Sequence, residues 1–114
     1  MGIYKLVKNQ ETIVRNHDEN HSIKNYLTRD FNENFSVAVS ELNGELTLTK
    51  STSSDRIYYF VEGKATFRIN EEDLIVENAD VLFIEKNTEY SIVGKFKAVL
   101  INLPAFKKEN DVNT

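Results

Sequence analysis

The sequence predicts an all-β fold, a sandwich or barrel of short strands. Apolar and polar residues alternate with a period of two through Phe35–Ser40, Glu45–Thr49 and Lys64–Ile69, as half-buried strands require. Turn-forming residues separate such runs at spacings of about eight to twelve residues, the rhythm of an all-β domain. No window of about 11 residues in the central region carries the 3.6-residue stripe of an amphipathic helix.

Taken in order, the elements follow from local chemistry. Residues 1–34 read as N-terminal outer strands of the same domain. Thr12–Arg15 and Ser22–Thr28 supply the strands, and the polar run Asn16–Asn20 is a solvated loop between them. Residues 35–106 hold the barrel. To the alternating runs they add the β-rich stretches Arg56–Val61, Leu74–Glu77, Val81–Ile84, Tyr90–Val93 and Ala98–Leu103. Turns are expected at Asn43-Gly44, Glu62-Gly63, Asn70–Asp73, Asn78–Asp80, Asn87-Thr88 and Gly94, where Asn, Asp and Gly tolerate the required backbone. Residues 107–114 are charged and poor in apolar side chains, and read as a flexible tail.

Composition excludes several classes of function. A chain of 114 residues has length for one core only. Its net charge of -4 and pI near 5.2 leave no basic surplus for nucleic acid. The absence of cysteine removes disulfides, thiol catalysis and thiolate metal sites. No apolar run approaches the roughly 18 residues of a membrane span, so a cytoplasmic protein is expected. The wealth of Asn, Lys and Ile is the bias of an AT-rich bacterial genome.

Two spaced motifs carry the resemblance to a known family. The first is Gly44, five residues, Lys50-Ser51-Thr52, three residues, Arg56, six residues, Gly63. The second is Ala79, five residues, Glu85-Lys86-Asn87, two residues, Tyr90, three residues, Gly94. Together with the runs Ile57–Gly63, Ala79–Ile84 and Asn102–Phe106, they make the chain resemble the small single-domain cupins. The resemblance implies a cupin jelly-roll β-barrel and a homodimer. In that family Lys50, Thr52, Arg56 and Tyr90 stand where three histidines and a glutamate bind a metal ion. Ala79 and Asn87 replace glycines and Glu85 replaces a proline.

The replaced ligands define the candidate site. Arg56 is permanently protonated, Lys50 is cationic and Thr52 is a weak neutral donor, so no metal and no other cofactor is expected. The resemblance puts these positions inside the barrel near one mouth. Unbroken alternation would extend the inward set to Leu46, Leu48, Lys50 and Thr52, then Arg56, Tyr58 and Phe60, then Tyr90 and Ile92. Lys50, Thr52, Arg56, Tyr58 and Tyr90 are therefore the expected binding residues for a small anionic or sugar-like molecule, with Arg56 offering a two-pronged contact. The competing structural reading has Asp55, Glu45 or Glu85 folding in to neutralise and plug the pocket.

An enzymatic alternative is a metal-free isomerase, cyclase or lyase in which Lys50, its ammonium disfavoured beside Arg56, forms a Schiff base with a carbonyl substrate. A further alternative is an accessory dimer with a relic pocket. His17 and His21 are expected in the solvated loop, leaving no histidine in the barrel, and Lys107-Lys108 in the solvated tail. On the opposite parity, Tyr59, Val61, Leu82 and Ile84 need cover from a second sheet or a partner subunit.

Overall fold

A computed structural model describes residues 2–113. Among them are eight strands, all paired antiparallel: β1 (Ile13–Asp18), β2 (His21–Leu27), β3 (Ser36–Ser51), β4 (Asp55–Ile69), β5 (Glu72–Glu77), β6 (Val81–Ile84), β7 (Tyr90–Leu103) and β8 (Asp111–Asn113). The sheet runs in the order β1-β2-β3-β7-β4-β5, with β6 beside β4 and β8 beside β3. The all-β expectation holds. No helix is long and apolar enough to cross a membrane among the described residues.

Three expected turns lie instead inside long strands. Asn43-Gly44 falls within β3, Glu62-Gly63 within β4 and Gly94 within β7. Gly44 stands opposite Gly94, Gly94 opposite Ala65, and Gly63 opposite Phe96, so the glycines share one level of the sheet. There the strands approach too closely for side chains. A Cβ on Gly63 would lie 2.2 Å from the Lys95 carbonyl oxygen, and one on Gly94 would lie 2.6 Å from the Ala65 Cα. Both residues also have positive φ, +98° and +148°, which glycine adopts without penalty.

At this level the sheet doubles over. Phe60 and Phe67 lie seven residues apart on one strand, which would separate them by roughly 23 Å in a straight ribbon. Their rings are only 5.7 Å apart, and Tyr58 reaches Phe67 at 5.3 Å. The folded sheet thus encloses an aromatic core of Tyr58, Phe60, Phe67, Tyr90 and Phe96, filled out by Leu42, Leu46, Ile92 and Ala98.

Of the four register shifts in the sheet, two fall within the long strands β3 and β4 and break their period-two pattern. Between Leu46 and Thr49, β3 carries one residue more than its partner β7, where Ile92 and Tyr90 are the opposing pair. Between Phe60 and Glu62, β4 carries one extra residue against Ala98 and Lys97. Each extra residue moves every later side chain to the other face. Leu48, expected inside, is 45% exposed, while Thr49 is buried.

β6 also differs from expectation. Ile84 lies opposite Arg56 and Leu82 opposite Tyr58, so both turn inward, and Val81 and Phe83 are exposed instead. The N-terminal segment is a hairpin in which Asn16–Asp18 belong to β1 rather than to a loop. The C-terminal residues, expected as a flexible tail, include a 3-10 turn, Lys108–Asn110, and β8, which pairs with Thr49–Ser51 of β3.

The turn before β6 keeps the backbone demand of the glycine it replaces. Ala79 has φ +70°, its amide donates to the Phe60 carbonyl at 2.7 Å, and the Phe60 amide donates to the Asp80 carbonyl at 3.0 Å. A residue with a Cβ in this region costs about 1–2 kcal/mol, partly offset by the greater unfolded-state freedom of glycine. Ala79→Gly is expected to raise the unfolding free energy by about 1 kcal/mol in urea titration. A loss of stability would show that the Cβ is accommodated there without strain.

Candidate functional site

The inner face of the doubled sheet leaves a cavity of about 150 Å³. Register explains which side chains meet there. Ala38 of β3, Leu100 of β7 and Tyr58 of β4 form one cross-strand row, with Asn25 of β2 beside them. Ser36, Asn102 and Arg56 form the next row. Thr49, turned inward by the first bulge, lies opposite Tyr90. Arg15 and His17 from β1, and His21 and Ile23 from β2, supply a further wall, while Phe106 and Lys108 come from the C-terminal segment.

A chain of buried hydrogen bonds organises the floor. Arg56, 5% exposed, donates from Nε to Asn102 Oδ1 at 2.9 Å and from Nη1 to the Tyr90 hydroxyl at 2.7 Å. The Tyr90 and Tyr58 hydroxyls are 3.0 Å apart. Tyr58 stacks on Phe60 and meets Phe67, Tyr90 and Phe96 edge-on, which fixes its ring. Charge-assisted bonds in a dry site are short and stronger than neutral ones, so this guanidinium holds both tyrosines in place.

His21 lines the same cavity and has hydrogen-bonding capacity unspent. Its Nε2 lies 3.1 Å from Ser40 Oγ, while its Nδ1 is buried and has no hydrogen-bond partner. Burial is the main cause that lowers its pKa from 6.5 to about 4, helped by the neighbouring His17, whose ring lies 5.4 Å away, and by Arg15 and Arg56; Asp18 acts in the opposite sense. The imidazole is therefore neutral at pH 7, with one nitrogen left to accept from, or donate to, a bound molecule.

The structure brings together three of the five expected binding residues. Arg56, Tyr58 and Tyr90 line one cavity; Lys50 and Thr52 do not. The bulge at Leu46–Thr49 is the reason, since it turns Thr49 and Ser51 inward and sends Lys50 and Thr52 to the opposite face. Lys50 is half-buried in register with Val112 of β8, and Thr52 is exposed. None of the three carboxylates expected as a plug lines the cavity. Asp55 instead accepts from the Lys86 amide at 2.9 Å.

The β1–β2 wall was missed by sequence reasoning, which placed both histidines in solvent. The signal was present as alternation on either side of a two-residue turn, with Arg15 and His17 before it and His21, Ile23 and Asn25 after it. A wider groove of about 680 Å³ lies on the other side of His21 and carries none of the expected residues.

The family's metal does not suit the residues at its ligand positions. Two of the four point out of the cavity, Arg56 has no lone pair to offer, and the Tyr90 oxygen already accepts from Arg56. Among the described residues, no three His, Cys, Asp or Glu side chains come together.

The fold is a cupin-type jelly roll, shared with several solved structures. Streptomyces PAC13, solved with uridine, superposes with a TM-score of 0.86 at 21% identity, over 100% of this chain and 92% of that one. PAC13 is a nucleoside dehydratase. KdgF from Halomonas sp. gives a TM-score of 0.79 at 13% identity, over 94% of this chain and 98% of that one. Oxalate decarboxylase from Bacillus subtilis gives 0.80 at 15% identity, over 99% of this chain but 33% of that longer one. No family model matches the sequence, and no curated protein matches it.

The state of His21 sets a pH dependence. The unfolded chain takes up a proton near pH 6.5, whereas the folded protein resists it until about pH 4. Stability is thus fully present above 6.5 and falls as pH drops through this window, because the unfolded state binds more protons. His21→Gln is expected to flatten the slope of unfolding free energy between pH 6.5 and 4 in urea titrations. An unchanged slope would place the titration elsewhere.

Proposed function

We propose that the protein binds a small sugar-like or anionic molecule in the cavity without a metal ion, and that a nucleoside is the ligand class best supported. The observation that carries this reading is the Arg56–Tyr90–Tyr58 hydrogen-bond chain, which shares the cavity with His21 and with the apolar side chains Ile23, Ala38, Leu46 and Leu100. Hydroxyl groups of a sugar suit such alternating donors and acceptors, and apolar walls suit ring faces. The volume is below the roughly 300–1,000 Å³ of drug-sized pockets, so it suits a single ring with the remainder of the molecule at the mouth. The likeness to PAC13 solved with uridine supports the same class. A cytoplasmic setting is part of this reading.

A second reading, favoured by His21, is a metal-free enzyme. The Schiff-base route through Lys50 loses its basis, because Lys50 lies outside the cavity lining. A neutral imidazole in the same cavity as two tyrosine hydroxyls is instead an acid–base set, able to take a proton from carbon and return one to oxygen. Histidine-to-glutamine and tyrosine-to-phenylalanine variants of PAC13 have been solved with uridine, so these residue types are of interest in that protein too.

The partner expected on the outer face is a second copy of the chain. Val81, Tyr59, Val99 and Val39 form one cross-strand row there, and Phe83, Ile57, Ile101 and Val37 the next. Phe83 is 57% exposed and Val81 64%. Such a continuous apolar face favours burial against its own symmetry mate.

Uridine at 100 times its Kd should stabilise the protein by about 2.7 kcal/mol. Tyr58→Phe and Tyr90→Phe should each weaken binding about ten-fold by calorimetry, the effect of one lost hydrogen bond. No thermal shift with nucleosides, sugars, sugar phosphates or sugar acids would favour the accessory protein with a relic pocket. For the dimer, sedimentation should show the native chain as two copies and Phe83→Lys as one; a monomeric native chain would remove the proposal.

A further inference from the structure

Two cations that play no part in the floor of the cavity stand in its lining, and they come from opposite ends of the chain. Arg15 lies on β1 in register with Ile23 of β2. Its guanidinium sits 4.9 Å from the centre of the Phe106 ring. The main chain that carries this ring is held in place, since the Phe106 amide donates to Ser36 Oγ at 2.9 Å and the preceding Ala105 amide to the Glu33 carbonyl at 3.0 Å. Lys108 opens the 3-10 turn that leads into β8, and the pairing of β8 with Thr49–Ser51 ties this turn to the part of β3 that carries the cavity residue Thr49. The neighbouring Glu109 is drawn away to Arg29, 3.7 Å from it, so its carboxylate is directed elsewhere.

We infer that Arg15 and Lys108 recognise a phosphate monoester on the ligand. This inference rests on the sugar-like reading of the cavity and adds a substrate class to it: a phosphorylated nucleoside or sugar, with its ring on the Arg56–Tyr90–Tyr58 floor and its phosphate between the two cations. A phosphate monoester carries about -1.5 to -2 charge at pH 7, which two separate cations match better than one would. A stacked, planar guanidinium presents its donors to phosphate oxygens in a fixed fork, and a lysine adds a mobile point charge. The stacking of Arg15 on Phe106, two residues before Lys108, brings the two cation-bearing segments together in one part of the lining. A cavity of about 150 Å³ leaves a phosphate at the mouth, where Lys108 is exposed.

The test compares uridine, uridine 5′-monophosphate and ribose 5-phosphate by isothermal titration calorimetry, with the native chain and the Arg15→Gln/Lys108→Gln double variant. The native protein is expected to bind the monophosphate at least ten-fold more tightly than uridine. In the double variant that ratio should fall close to one, with the fold checked by circular dichroism. Single variants should each lose part of the preference, so the result does not rest on the double variant alone. Binding of uridine with no preference for the phosphate, or a preference that survives in the double variant, overturns the phosphate assignment while leaving the sugar-like reading in place. Binding of none of the three compounds overturns both.

Discussion

A guanidinium held in an aromatic interior is the constraint around which this cavity is arranged. Arg56 is almost fully buried, and burying such a charge is costly unless its donors are satisfied. Two of its donors are met by Asn102 and Tyr90, which reach it from opposite ends of β7. Satisfying the charge therefore fixes both ends of that strand against β4. It also holds the Tyr90 hydroxyl next to that of Tyr58, so the same bonds that make the charge tolerable create the polar floor of the site.

The doubling of the sheet makes this arrangement reachable. Asn102 and Tyr90 are twelve residues apart, and one arginine touches both only because β7 passes through the tight level at Gly94. Close approach of β4 and β7 there leaves no room for a Cβ, which is a steric demand on two glycines rather than a loose turn. The aromatic cluster then fills the fold, with Phe67 stacked on Tyr90 and set edge-on to Tyr58. Packing, backbone and polar network thus support one geometry, and the proposed chemistry inherits its rigidity from them.

The all-β class was legible in the period-two pattern, while the jelly-roll type of fold and the inward direction of Arg56 and Tyr90 followed from the resemblance to the cupins, and that of Tyr58 from its place two residues after Arg56 on one strand. The direction of Lys50 and Thr52 was not legible. A bulge adds one residue without a distinctive composition: Thr47-Leu48-Thr49 alternates as smoothly as a regular strand, yet the count against Ile92 and Tyr90 turns it over. β6 is four residues long and apolar throughout, so its parity depended on a partner the sequence does not name. His21 looked solvated because its neighbours are polar. The alternation on either side of the turn marked a two-faced hairpin, and the pairing of β2 with β3 sets which face lines the cavity. Local pattern thus conveyed the elements, while register, a long-range property, decided the site.

The central claim is that the Arg56–Tyr90 bond is a strong buried contact on which the site is built, and a double-mutant cycle tests it most directly. Unfolding free energies would be measured in urea for the native chain, Arg56→Met, Tyr90→Phe and the double variant. A hydrogen bond to a charged group in a buried site predicts a coupling of about 1.5–3 kcal/mol between the two positions. Effects that add to within about 0.5 kcal/mol would contradict it, since they would mean that the two side chains stabilise the fold independently.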